Sequence, residues 1–253
     1  MSRQGELITI EKLVEKDVDA ATDTLLQAYL HREPTVIQSK VTAEELRRWA
    51  LVYARMAARD GLSFVAKHHR GTSFDLLPGE KKFHVQVRAD SEKQTGESDY
   101  QVVGFCFSFD FATEENIEDE LDGTKYAVGD ELIEGLIAEY ASKIRPDLSN
   151  APRSLVHIGN LGIRSGFEGI GLARTILSEI LKLARASGFR GCVAETSSDR
   201  SLFVFENVCG FKRVLRRDYS TFRSEVSGGT LPYSYFAAFH GGCTFVEKIF
   251  DEE

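Results

Sequence analysis

The stretch Asn160–Ala173, NLGIRSGFEGIGLA, decides how the rest of the chain is read. It follows the strand-like segment SLVHIGNLGI and opens an amphipathic run from Leu172 to Ser187 that Gly188 ends. A strand therefore delivers the chain through Gly166, Gly169 and Gly171 into a helix. Glycines let such a bend turn successive N–H groups toward one point, and the helix start adds partial positive charge. An anion is favoured there, and a diphosphate fits. The same glycines would equally serve a turn that is merely tight, so spacing alone leaves both readings open.

Of two familiar phosphate-binding motifs, what surrounds the glycines excludes one and disfavours the other. A nucleotide-hydrolysing P-loop needs Lys-Ser/Thr after its last glycine, whereas Leu172 and Ala173 follow Gly171. A dinucleotide fingerprint needs a third glycine where Arg174 stands, and should follow the first strand of the chain. Glu195, at the end of the next strand, only imitates the ribose-binding acid of that motif.

Outward from the bend, the second half reads as strand GCVAET, a helix from about Ser198 to Val208, and strands near Lys212 to Phe222 and Cys243 to Phe250. This alternation implies at least one parallel pair with a crossover. In the first half, Glu6 to Lys12 alternate as a strand, and Asp17 caps a helix that carries Val18, Ala21, Leu25, Leu26 and Tyr29. Pro34 stops that helix near Glu33. A capping box, Thr42 to Glu45, opens a second helix with Leu46, Trp49, Tyr53 and Met56 on one stripe. Strands LSFVAKH, KFHVQVR and YQVVGFCFSFDF follow, the last apolar on both faces and so central. Between about 113 and 150 lies an insertion: the acidic run EENIEDELDG, read as a solvated face, then a helix bearing Leu132, Ile133, Leu136, Ile137 and Tyr140.

At 253 residues the chain is read as one domain, 1–253, carrying that insertion. Its net charge of −8 gives no basic field for nucleic acid or an anionic membrane. With 42% hydrophobic and 28% charged residues it is globular in composition. No secretory leader or bilayer-length apolar run is read, so the expected location is cytoplasmic. Cys106, Cys192, Cys209 and Cys243 lie far apart without a CxxC pair and read as small core residues.

The segment GIGLARTILSEILKLARASGFRGCVAET, followed by SLFVFENVCGF, resembles the acyl-CoA-binding motif of the Gcn5-related N-acetyltransferase (GNAT) superfamily. The family pattern Q/R-x-x-G-x-G/A lies on Gly166 to Gly171, and its closing Gly-Phe on Gly210 and Phe211. The resemblance implies an α/β fold whose mixed, mostly antiparallel sheet is flanked by helices and has a splayed central parallel pair. It implies acetyl-CoA as co-substrate, contacted from Leu161, Gly162, Ile163, Arg164, Gly166, Phe167, Glu168, Gly169, Ile170, Gly171, Leu172 and Ala173. Ser198, Ser201 and Phe205 would contribute from the following helix. Two departures stand out. Gly166 occupies the Q/R position, with Arg164 the nearest cation, and Glu206 stands where many members place a tyrosine acid.

The implied reaction is attack of a small-molecule amine on an acyl thioester. A primary amine with a pKa near about 10 must lose a proton, so a base is required. The Glu-Pro pair in YLHREPT resembles the insect arylalkylamine N-acetyltransferases and makes Glu33 the candidate base. His157 is the rival, its parity along the strand matching Gly159 and Leu161. An exposed carboxylate at Glu33 and a packed imidazole at His157 are the bland readings of each. The other histidines, His31, His68, His69, His84 and His240, show no metal-ligand spacing. Arg213, Arg216 and Arg217 could meet a 3′-phosphate or form an exposed strand face, and LPYSYFAAF (Leu231 to Phe239) could line an acceptor pocket or pack as a hairpin. Alternatives to a small-amine acetyltransferase are a protein or polyamine acetyltransferase and a non-catalytic acyl-CoA-binding module. A monomer or homodimer is expected.

Overall fold

The computed structural model describes residues 4–75, 82–88, 99–114 and 127–250. The elements in chain order are β1 (Gln4–Lys12), α1 (Val18–Tyr29), α2 (Pro34–Ser39), α3 (Ala43–Asp60), β2 (Phe64–Asp75), β3 (Phe83–Val87), β4 (Tyr100–Asp110), α4 (Ala127–Glu139) and α5 (Pro146–Ser149). They continue with β5 (Leu155–Ile163), α6 (Leu172–Ala186), β6 (Gly191–Thr196), α7 (Asp199–Phe203), β7 (Lys212–Asp218) and β8 (Gly242–Ile249). The strands form a single sheet in the order β3-β1-β2-β4-β5-β6-β8-β7. Its pairs are antiparallel except β1 with β3 and β5 with β6. No helix among the described residues is long and apolar enough to cross a membrane.

Alternation along the strands sorts side chains onto two faces. On one face α6 packs over Ile8, Ala66, Cys106, Val156, Ile158, Cys192 and Ala194. On the other, α1 and α3 cover Phe105, Phe107 and Phe109, while α4 lies over Leu155, Val193 and Phe245. β4 is buried along most of its length, as expected of a central strand.

Two features place the functional region. β5 pairs with β6 through only Leu155, Val156 and His157, opposite Gly191, Cys192 and Val193. Beyond them the strands part. β5 also holds one extra residue against β4: Ser108 faces Ile158 and Phe107 faces Asn160, leaving Gly159 as a bulge. This corrects the parity expected from sequence. With the inserted residue, Leu161 changes face relative to His157 and joins the α6 side.

Other expectations also change. Asp17 precedes α1 but makes no cap bond. Its buried carboxylate instead takes the Tyr100 hydroxyl at 2.5 Å and Lys67 Nζ at 2.9 Å. Lys67 is itself 1% exposed and also meets Glu11 at 3.0 Å, so two carboxylates neutralise one buried ammonium. Burial alone would raise the Glu11 pKa, but Thr9, Lys67 and Arg88 together hold it below the ordinary carboxylate value. The segment Leu231 to Phe239, read as either a pocket lining or a hairpin, is a series of turns with a short 3-10 helix: Tyr233 and Phe236 are drawn into the core over β8, and Phe239 reaches a cavity that opens where β5 leaves β6. The run 115–123 lies outside the described residues.

Removing the ammonium strands buried carboxylates. Lys67→Ala should therefore destabilise the fold by about 3–5 kcal/mol in urea denaturation, and a loss below about 1 kcal/mol would show the cluster to be energetically surface-like.

Candidate functional site

A cavity of about 990 Å³ opens on the face covered by α1, α3 and α4, where β5 leaves β6. Its wall combines aromatic rings from Trp49, Tyr53, Phe111 and Phe239 with carboxylates from Glu33, Glu114 and Glu195. Such a lining, apolar with a few convergent polar groups, is typical of small-molecule sites.

At the root of the splay His157 is 5% exposed and has both ring nitrogens engaged. Nε2 meets Glu195 Oε2 at 2.8 Å, bridging the two strands where they separate, and Nδ1 meets the Glu114 carboxylate. Phe111 stacks edge-on against the ring at 5.7 Å. Burial pushes the imidazole pKa down, but the two carboxylates outweigh it and hold the value well above 6.5. His157 is thus an imidazolium with two donated hydrogen bonds and no free lone pair. Glu114 is a correction to the solvated face read for its run: it turns inward because a buried cation stands opposite. Among the described residues, Glu195 Oε1 has no hydrogen-bond partner.

Glu33 faces the same cavity from the junction of α1 and α2. Pro34 supplies the first residue of α2, and Glu33 is its N-cap. The carboxylate accepts from Thr35 N at 3.5 Å and from Thr35 Oγ1 at 3.1 Å. Enclosure by protein raises its pKa above 4.5, although hydrogen bonds from Ser197 and Thr35 pull the other way. Tyr29, one turn earlier, donates its hydroxyl to Leu161 O at 3.2 Å and accepts from Leu161 N at 3.1 Å. It thereby satisfies the β5 backbone just past the bulge, on the side that has lost β6.

The glycine bend forms as read from sequence. Gly166, Gly169 and Gly171 have φ of 89°, 76° and 92°, and a Cβ at each would meet open space. The left-handed backbone, rather than crowding, calls for glycine there. Gly166 N donates to Glu168 Oε2 at 2.6 Å, and Arg32 Nη1 meets Glu168 Oε1 at 2.8 Å. Burial tends to raise the Glu168 pKa, but its own backbone N–H, Arg32 and Gly166 N–H hold it below the usual value. The bend therefore binds a carboxylate drawn from its own sequence.

The remaining residues singled out from sequence divide clearly. Leu161, Gly162, Ile163, Glu168, Ser198, Ser201 and Phe205 line the cavity together with Glu33 and His157. Ser198 caps α7, accepting from Ser201 N at 3.2 Å. Arg164 is drawn to β4, where Gln101 Oε1, in the orientation that satisfies both groups, accepts from its two Nη atoms at 3.1 Å. Phe167 packs on His68 and Phe83 at ring distances of 5.2 and 5.5 Å, and Leu172 and Ile170 join the α6 core. Gly162 has a packing reason: a Cβ there would lie 2.5 Å from the Phe105 ring. Ala173 is half-buried in the first turn of α6. Arg213, Arg216 and Arg217 are tied to Glu206, Asp218 and Glu139. Cys243 lines the cavity with its thiol pKa pushed well above 9 by burial, so it is a poor nucleophile. Tyr29, Arg32, Glu114 and Ser197 carry no sequence pattern that marks them, and only the fold brings them to the site.

Because the folded imidazole keeps its proton above the unfolded pKa of about 6.5, the stability it contributes is complete below that pH and is lost as pH rises through the folded value. Wild-type thermal stability should therefore decline between pH 7 and 9. His157→Gln, which leaves two buried carboxylates without their cation, should cost about 3–5 kcal/mol at pH 6 and lose that decline. An unchanged pH slope would mean the ring is neutral.

No protein-family profile matches the chain, and no curated protein matches its sequence. Solved structures do match its shape. The C-terminal condensation domain of Ebony, solved with beta-alanyl-dopamine, aligns with a TM-score of 0.71 at 14% identity over 98% of this chain and 100% of its own. Arylalkylamine N-acetyltransferase 2 from Aedes aegypti aligns at 0.64 and 18% identity, covering 96% and 98%. Polyamine N-acetyltransferase from Drosophila melanogaster aligns at 0.63 and 14%, covering 96% and 99%. The chain shares the fold of these proteins, and its own mixed sheet with a splayed parallel pair is the one the GNAT resemblance implied.

Proposed function

We propose that this protein is an N-acyltransferase that moves an acetyl or related acyl group from acetyl-CoA to the amine of a small molecule by direct attack, with Glu33 as general base. The observation that carries this reading is the placement of Glu33: a carboxylate of raised pKa, enclosed on the wall of a large cavity at the mouth of the β5/β6 splay. A base poised closer to neutrality than an ordinary carboxylate suits proton removal from an ammonium.

The residues fit an acyl-CoA donor. The bend that already holds the Glu168 carboxylate through the Gly166 N–H offers an amide donor for a diphosphate, and the parting of β5 from β6 leaves an opening for the donor's arm. Acetyl-CoA, when bound, supplies a thioester: the amine nitrogen bonds to the acyl carbon, the C–S bond breaks, and CoA leaves as the thiolate. Glu33 takes one proton from the arriving ammonium, directly or through water, so that the neutral amine attacks, and the nitrogen loses its second proton to solvent once the C–N bond has formed. Glu206, at the place of the family's tyrosine, is committed to Arg213, so the leaving thiolate, with a pKa near about 8.5, takes its proton from solvent. His157 has no lone pair to offer and holds the splay together instead. The carboxylate-rich wall favours an acceptor that arrives as a cation, while Trp49, Tyr53 and Phe111 suit an aryl or alkyl body. Both an arylalkylamine and a polyamine meet that description.

Glu33 must be ionised to act, so turnover falls as pH drops through its folded pKa. The acid limb of kcat/KM should lie above 4.5, and Glu33→Gln should abolish that limb and lower kcat by about 10²–10⁴-fold. The thermal shift given by acetyl-CoA should survive the substitution. Loss of donor binding together with rate would make Glu33 structural.

A further inference from the structure

The donor bend lacks the cation that its family pattern places at the position of Gly166, and Arg164, the nearest in sequence, is held on β4 by Gln101. A different cation reaches the bend. Arg32, from the α1–α2 junction, donates Nη2 to Ser165 Oγ at 2.6 Å and Nη1 to Glu168 Oε1 at 2.8 Å. The second Glu168 oxygen takes Gly166 N–H. One carboxylate thus occupies both an amide of the bend and the guanidinium beside it, the two kinds of donor that a phosphate oxygen would use. Arg32 and Glu168 line the same cavity as Glu33.

We propose that Arg32 is the phosphate-binding cation of the donor site and that Glu168 is its placeholder, displaced when the diphosphate of acyl-CoA takes the guanidinium and the Gly166 amide. This rests on the acyl-CoA reading above. The pair is suited to exchange: its side chains are 38% and 44% exposed, and an ion pair so placed is worth little. A diphosphate brings more charge and matches the planar guanidinium bidentately.

Calorimetric titration of acetyl-CoA into wild type, Arg32→Ala and Glu168→Gln tests this. Both substitutions break the same ion pair, yet the proposal requires opposite effects. Arg32→Ala should weaken binding by about tenfold or more. Glu168→Gln, which keeps the shape but removes the competing charge, should tighten it by at least about threefold. Weakening by both variants would make the pair a structural latch, and affinities within twofold of wild type would put the phosphates elsewhere; either result overturns the proposal while leaving the acyl-CoA reading intact. Absence of binding to wild type at millimolar acetyl-CoA would overturn both.

Discussion

Three backbone pairings, Leu155, Val156 and His157 against Gly191, Cys192 and Val193, hold β5 to β6, and the site exists because pairing stops there. A sheet that stayed paired would have its edge groups satisfied and no opening. Here the Glu195 carboxylate crosses from β6 to His157 at the last paired residue, and Glu114 closes on the other side of the ring. Beyond that clasp, Tyr29 meets the N–H and C=O of Leu161, which face the opening. α1 therefore substitutes one hydroxyl for the missing strand, and in doing so brings Arg32 and Glu33 to the rim.

Burial assigns different charge states to the two titratable groups at this opening. Glu33 has hydrogen-bond donors but no cation against it, and enclosure moves its pKa upward. His157 has two carboxylates against it, and they override the unfavourable enclosure. The carboxylate's pKa is moved toward neutrality, whereas the imidazole's is held well above its ordinary value. The division of labour between base and scaffold follows from which neighbours each group has, rather than from the intrinsic chemistry of carboxylate and imidazole.

Much of this was legible in the sequence. The bend at Gly166, Gly169 and Gly171 and the following α6 are read from glycine spacing and a helical stripe, both local signals. The end of the first helix near Glu33 is read from Pro34, another local constraint, but that Pro34 also opens α2, with Glu33 as its N-cap, emerges only in the structure. Three things were not legible. The Gly159 bulge shifts a period of two by one residue, leaving no mark in composition, and so Leu161 was placed on the wrong face. Glu114 opens an acidic run, so nothing local tells that its carboxylate turns toward a buried ring. Arg32 and Glu168 are 136 residues apart and meet only through tertiary packing.

The account stands or falls on acyl transfer to an amine in this opening. The most direct measurement follows free thiol released from acetyl-CoA by the wild-type protein over a panel of arylalkylamines and polyamines. The account predicts amine-dependent release matched mole for mole by N-acetylated product for at least one member. Thiol release that is independent of amine, or none across the panel despite acetyl-CoA binding, would contradict it and leave a binding module.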